Sequence, residues 1–269
     1  IRWTDYALRS AERRRGTGTY PRHRRQFSMI GYQAQEKRSE RSLWQTWPIR
    51  GDTLARFAFG YAALVMIGLA TGWLATGPIA ASRFGSVDTN ASIWLEAHRS
   101  PVWDTVSRVA DSFADTIHVI LAIVVLGTVF AWVWRRWRES LTLGFGLALE
   151  ALVFLTVSLT VDRDRPPVEQ MDVSPPTASF PSGHTGAAFT LYGILALIVF
   201  WNTRRTLPRI LAVAGAVIFP VSVAVARLYR GMHYLSDVVV GAGLGIVCIF
   251  VVVALVDRAI AQSHLRGET

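Results

Sequence analysis

An all-α, integral-membrane bundle of six transmembrane helices with an amphipathic helix on its outer face is the fold class the sequence predicts, on three observations. Mean hydropathy is +0.32 and only 17% of the 269 residues are charged, which is too apolar for an ordinary soluble domain. Six charge-poor apolar runs, each close to the roughly 20 residues that cross about 30 Å of hydrocarbon, lie at 57–79, 116–134, 140–161, 184–203, 210–226 and 238–256. Between them, Lys and Arg gather in alternate connections. This places the N- and C-termini in the cytoplasm of a bacterial-type plasma (inner) membrane.

The elements follow in chain order. Residues 1–56 hold 13 basic and 5 acidic side chains, a net +8 of the chain's +9. With Arg13-Arg14-Arg15, Gly16-Thr17-Gly18 and little apolar periodicity, this arm is expected to be disordered or held at anionic headgroups. Nucleic acid is excluded as a partner, because the charge is segregated from the apolar majority. The chain opens on Ile1, so the arm also reads as a fragment or an over-extended frame with Met29 as an alternative start. The first span lies too far along for a cleaved signal and reads as an uncleaved anchor.

The connection 83–115 carries three Arg against five acids, as an outer segment should. Within it Val102, Val106, Val109 and Phe113 recur at helical spacing, with Asp104, Arg108 and Asp111 between them, the pattern of an interfacial helix that roofs the bundle. Arg135, Arg136 and Arg138 then mark a cytoplasmic turn, and Trp132, Trp134, Trp137 and Trp201 an interfacial belt. The segment 162–172 is outer, with two Arg against four acids; Arg204, Arg205 and Arg209 are inner. The fifth span is short and contains Pro220, and is expected to extend itself by snorkelling of Arg209 and Arg227. Gly68 with Gly72, and Gly241 with Gly245, are small-residue pairs that let helices approach. The lone Cys248 excludes an internal disulfide. The expected divisions are 1–56 (arm), 57–257 (membrane domain) and 258–269 (cytoplasmic tail).

Ionisable groups cluster beside helix ends on the outer side, where they are most informative. Arg165 and Arg227 offer planar forks of donors suited to phosphate. Pro181-Ser182-Gly183 ahead of a helix presents backbone N–H groups and a hydroxyl at the positive end of its dipole, an anion site or a plain N-cap. His233 and Asp237 are four apart; on one helix they share a face, so the carboxylate could orient a nucleophilic imidazole. His184, at a helix mouth, could protonate a leaving oxygen. Glu150 lies mid-span, where it is expected to be protonated and bonded to a neighbouring helix or to take part in proton or headgroup contacts.

In this order and spacing, Arg165-Pro166, then Pro181-Ser182-Gly183-His184, then Arg227, His233 and Asp237, the chain resembles the type 2 phosphatidic acid phosphatase superfamily over residues 57–257. Two positions depart from its pattern: Ser158 stands where the first motif has lysine, and Ala226 where the third has serine. Arg163 and Arg230 are the expected substitutes for the missing lysine contact. The resemblance implies a lipid phosphatase or diphosphatase that uses no metal or cofactor. In it His233 attacks phosphorus, Asp237 orients His233, His184 is acid then base, and Arg165, Ser182, Gly183 and Arg227 hold the phosphate. The absence of clusters of Cys, His and carboxylate at ligand spacing agrees with metal independence. The implied partners are the bilayer and a lipid phosphate: phosphatidate, phosphatidylglycerol phosphate or polyprenyl diphosphate. A lipid phosphotransferase using the same histidine and a catalytically silent scaffold or transporter are the alternatives; a vanadate-dependent haloperoxidase fits poorly with six spans.

Overall fold

In a computed structural model, residues 51–134, 137–173 and 176–267 are described, all within one unit, Thr46–Thr269. Residues 1–50 of the predicted arm, Arg135 and Arg136 lie outside the described residues. The described residues form eight helices: α1 (Gly51–Thr76), α2 (Arg83–Ala97), α3 (Pro101–Ser112), α4 (Thr116–Trp134), α5 (Arg138–Thr160), α6 (Gly183–Asn202), α7 (Thr206–Tyr229) and α8 (Leu235–Gly267). Six of them, all but α2 and α3, are long and apolar enough to cross a membrane.

The helices start and stop for local reasons. Ser82 and Ser100 cap α2 and α3 by accepting from the amides of Phe84 and Trp103, and Pro101 occupies the first turn of α3, where its missing N–H costs nothing. Arg209 donates to the carbonyls of Phe200 (3.1 Å) and Thr203 (3.0 Å) at the end of α6. It thus satisfies carbonyls left open at the C-terminal end of α6. The turn between α7 and α8 requires φ +72° at Gly231, a conformation that side chains rarely adopt.

α6 packs against α7 and α8, α5 against α6 and α8, and α1 lies across α5 and α8. Glycine makes these approaches possible. A Cβ on Gly241 or Gly245 of α8 would stand 2.5 Å from the carbonyl oxygens of Ser182 and Gly186, so α8 lies directly against the backbone of α6. Gly68 and Gly72 of α1 likewise meet Val157 and Val161. One core cluster gathers Leu143, Leu147, Ile194, Ile198, Val252 and Val256; another gathers Leu64, Val153, Val157, Phe180, Leu244 and Cys248. The outside is apolar too: Ile117, Leu121, Val124 and Val125 of α4 and Ile210, Leu211 and Ile218 of α7 are exposed, as lipid-facing surfaces are. At the bundle end away from the motifs, Arg138 forks onto Asp257 (2.8 and 3.1 Å) and covers the Trp201 ring.

The amphipathic helix forms as α3, and the structure shows which of its faces meets the bundle. Val102, Val106 and Val109 are exposed, while Ser107 and Ala110 are buried. Asp104 accepts from the Tyr229 hydroxyl (2.7 Å) and Asp111 pairs with Arg227, so the polar face of α3 is the one that docks onto α7. α2 was not expected, because its polar and apolar residues are spread too evenly around the helix for periodicity to mark a face.

Candidate active site

The three motifs meet at one end of the bundle. The 161–182 segment brings Arg163, Arg165 and Ser179 over the start of α6, and the α7–α8 turn brings His233 beneath them. Ser182 is the N-cap residue of α6, and its amide donates to the Asp237 carbonyl (3.1 Å). Its hydroxyl pairs with that of Thr185 (2.9 Å). The amides of Gly183, His184 and Thr185 have no hydrogen-bond partner among the described residues, so the dipole-facing donors of this helix start remain available. Phe154 presses on Gly183: a Cβ there would lie 2.8 Å from its ring.

His233 is buried, and its Nδ1 lies 2.6 Å from the Ser179 carbonyl oxygen. A carbonyl only accepts, so Nδ1 carries the proton and Nε2 presents a lone pair. The expected arrangement, with His233 and Asp237 on one helix and the carboxylate holding the ring, is corrected here. His233 precedes α8, and its Nδ1 is 3.8 Å from Asp237 Oδ2. The carboxylate instead accepts from the Ser179 hydroxyl (2.5 Å), the Tyr234 amide (2.9 Å) and Arg163. As the third residue of α8 reaching back to the amide before the helix, Asp237 is the acidic member of a capping box. Ser179 links acid to imidazole, its hydroxyl donating to Asp237 and its carbonyl accepting from His233; the carbonyl half is a bond any residue can make, so side-chain chemistry does not mark it in the sequence.

The arginines divide into free and committed. Arg165 donates only to carbonyls, Met232 (2.7 Å) and Thr177 (3.4 Å), and has no carboxylate partner among the described residues. Burial, and then the like charge of Arg227, holds it below the ordinary guanidinium range. Arg227, 4% exposed, does not snorkel. One nitrogen, Nη1, meets Asp111 (2.9 Å) and Asp172 (3.3 Å), while Nε and Asp111 Oδ1 lack partners among the described residues. Arg230 is forked onto Asp172 through Nε (2.7 Å) and Nη2. Arg163 is tied to Asp88 and Asp237 and lies over the Tyr234 ring. Neither of these two has a guanidinium free to replace the missing lysine. Ser158 is buried, donates to the Leu155 carbonyl (3.2 Å), and lines a cavity of about 440 Å³ together with Arg163, Arg165 and Ser179.

His184 sits half-buried in the first turn of α6, within electrostatic reach of His233 and Arg227. Glu150, one layer deeper, packs its carboxyl against Gly186 of α6. No three His, Cys, Asp or Glu side chains among the described residues are grouped so as to hold a metal ion.

A helical membrane bundle that gathers two histidines, an arginine with no carboxylate partner among the described residues and the open amides of a helix start at one end defines the class: a membrane protein whose donors at that end suit an anion. The sequence model of the PAP2 superfamily matches residues 139–261 of this chain. It is 27% identical over 135 residues to phosphatidylglycerophosphatase B of Bacillus subtilis, covering 48% of this chain and 64% of that protein. It is 33% identical over 114 residues to the decaprenylphosphoryl-5-phosphoribose phosphatase of Mycobacterium tuberculosis, covering 41% and 58%. The matches thus span less than two thirds of these relatives' length. The fold is similar to that of a transmembrane PAP2 type phosphatidylglycerolphosphate phosphatase from Bacillus subtilis, with TM-score 0.60 and 22% identity over 72% of this chain and 94% of that one.

Proposed function

We propose that this chain is an integral-membrane lipid phosphatase that works through a phosphohistidine at the outer face of a plasma membrane. The observation that carries the reading is His233, its Nδ1 proton fixed by Ser179, beside Arg165, a half-buried guanidinium with no carboxylate partner among the described residues. His233 Nε2 attacks phosphorus, forming the N–P bond as the bond to the lipid oxygen breaks. His184 gives its proton to that oxygen, then takes one from the water that attacks the phosphohistidine, releasing phosphate. Arg165, Arg227 and the Gly183 amide stabilise the equatorial oxygens, and Ser182 and Asp237 shape the ends of α6 and α8 that hold these groups. Two relatives act, by name, on phosphatidylglycerophosphate and on a decaprenylphosphoryl phosphoribose, so the substrate is a phosphorylated amphiphile with its phosphate at headgroup level.

The test is phosphate release in liposomes from phosphatidylglycerol phosphate, phosphatidate and polyprenyl diphosphate, with chelator, for wild type and His233→Ala. Release that survives chelator and falls at least about 10³-fold in the variant is the expected result. Equal rates in the two proteins would refute the histidine mechanism.

A further inference from the structure

Asp88 belongs to α2, outside the three motifs, yet it is 5% exposed and sits in the polar core beside the site. Its Oδ1 accepts the Ser236 amide (3.0 Å), one of the orphan donors in the first turn of α8. Its Oδ2 accepts the Ser236 hydroxyl and Arg163 Nη2 (3.1 Å). Arg163 passes its other nitrogen, Nη1, to Asp237 Oδ1 and to Ser236 Oγ (2.8 Å). The far oxygen of Asp237 takes the Ser179 hydroxyl, and the Ser179 carbonyl takes the Nδ1 proton of His233.

A guanidinium bound to a single carboxylate can travel with it. One stretched between carboxylates on two elements cannot, and here those elements are α2 and α8. Because Asp88 also holds the first turn of α8 by its backbone, it fixes both the cation that Asp237 leans on and the helix that carries Asp237.

We propose that Asp88 is a positioning residue for His233: by pinning Arg163 and the start of α8 it sets Asp237 and Ser179, and through them holds the imidazole with Nδ1 protonated and Nε2 presented. The proposal rests on the phosphohistidine reading for its kinetic consequence, but its geometric consequence stands without it.

Asp88→Asn keeps the volume and an acceptor for the Ser236 amide while removing the charge that holds Arg163. Expected are a kcat lower by about 10- to 100-fold with KM within about twofold, partial recovery in Asp88→Glu, and an upfield move of the His233 Nδ1–H signal in spectra of 15N-histidine-labelled protein. KM should hold because Arg165 and Arg227 make no contact with Asp88. An unchanged kcat with an unmoved signal, or a change in KM alone, overturns the proposal. If Asp88→Asn does not fold, Ser236→Ala removes one of the bonds to Asp88 and must show the same signs in smaller measure; wild-type values there overturn it equally. If wild type releases no phosphate from any of the lipids, the phosphatase reading fails, and the histidine signal alone decides whether Asp88 positions the ring.

Discussion

At His233, burial and the positive charges of Arg227 and Arg165 hold the ring's pKa below the ordinary 6.5, while Asp237 pulls the other way. His184 faces the same ring from α6. A nucleophilic imidazole must be neutral, and a depressed pKa keeps it neutral to lower pH. The acid limb of kcat/KM should therefore fall below pH 6.5, and a pH–rate profile in detergent will show it. Ser179→Ala keeps the carbonyl that holds Nδ1 but removes the hydroxyl that ties it to Asp237, and is expected to lower kcat about tenfold; steady-state kinetics with intact folding check this. The motif residues were legible in the sequence because their spacing is short and their chemistry lies in the side chain. Asp88, Asp111 and Asp172 were not. Their partners Ser236, Arg227 and Arg230 lie some 55 to 150 residues away, and nothing local distinguishes them from other outer-face acids.

Among the elements, four of the six spans were readable to within about four residues, because a run of apolar side chains leaves a helix as the simplest way to satisfy its backbone in lipid, whereas α1 starts six residues earlier than expected and α8 runs eleven residues further, through most of the expected tail. Which face of α3 meets the bundle was not legible, for a physical reason. Amphipathicity reports two unlike faces but not which one meets protein, and here the bundle end is polar and the surroundings are not. The glycine pairs were read correctly, and they carry a prediction. Gly241→Val places branched carbons against the Ser182 carbonyl, which anchors the α6 start, so overpacking should cost about 1–3 kcal/mol or more and lower the melting temperature in detergent. Gly243→Val, where a Cβ meets nothing within 4 Å, is the control and should leave it unchanged.

For the whole molecule, the proposed topology puts the site end outside and the Arg138–Asp257 end inside. A cysteine placed at exposed Arg108 should react with an impermeant maleimide on intact cells, and one at exposed Arg204 only after permeabilisation. The single natural thiol, Cys248, is fully buried and will give no background. The opposite labelling pattern would reverse the topology. At this scale charge asymmetry was the legible signal, and the arrangement of anions around Arg227 was not. That arrangement has a consequence of its own. Arg230 is gripped by two nitrogens and is committed, whereas Arg227 is touched through one, with Nε unclaimed. On the proposed mechanism, a phosphate taking hold of Arg227 through Nη1 would enter by exchange with Asp111 and Asp172, and the same carboxylates would displace it after hydrolysis. Capture and release become two directions of one substitution. Built-in competitors of this kind would limit how tightly inorganic phosphate is retained, and so would keep the proposed phosphatase turning over where phosphate is abundant.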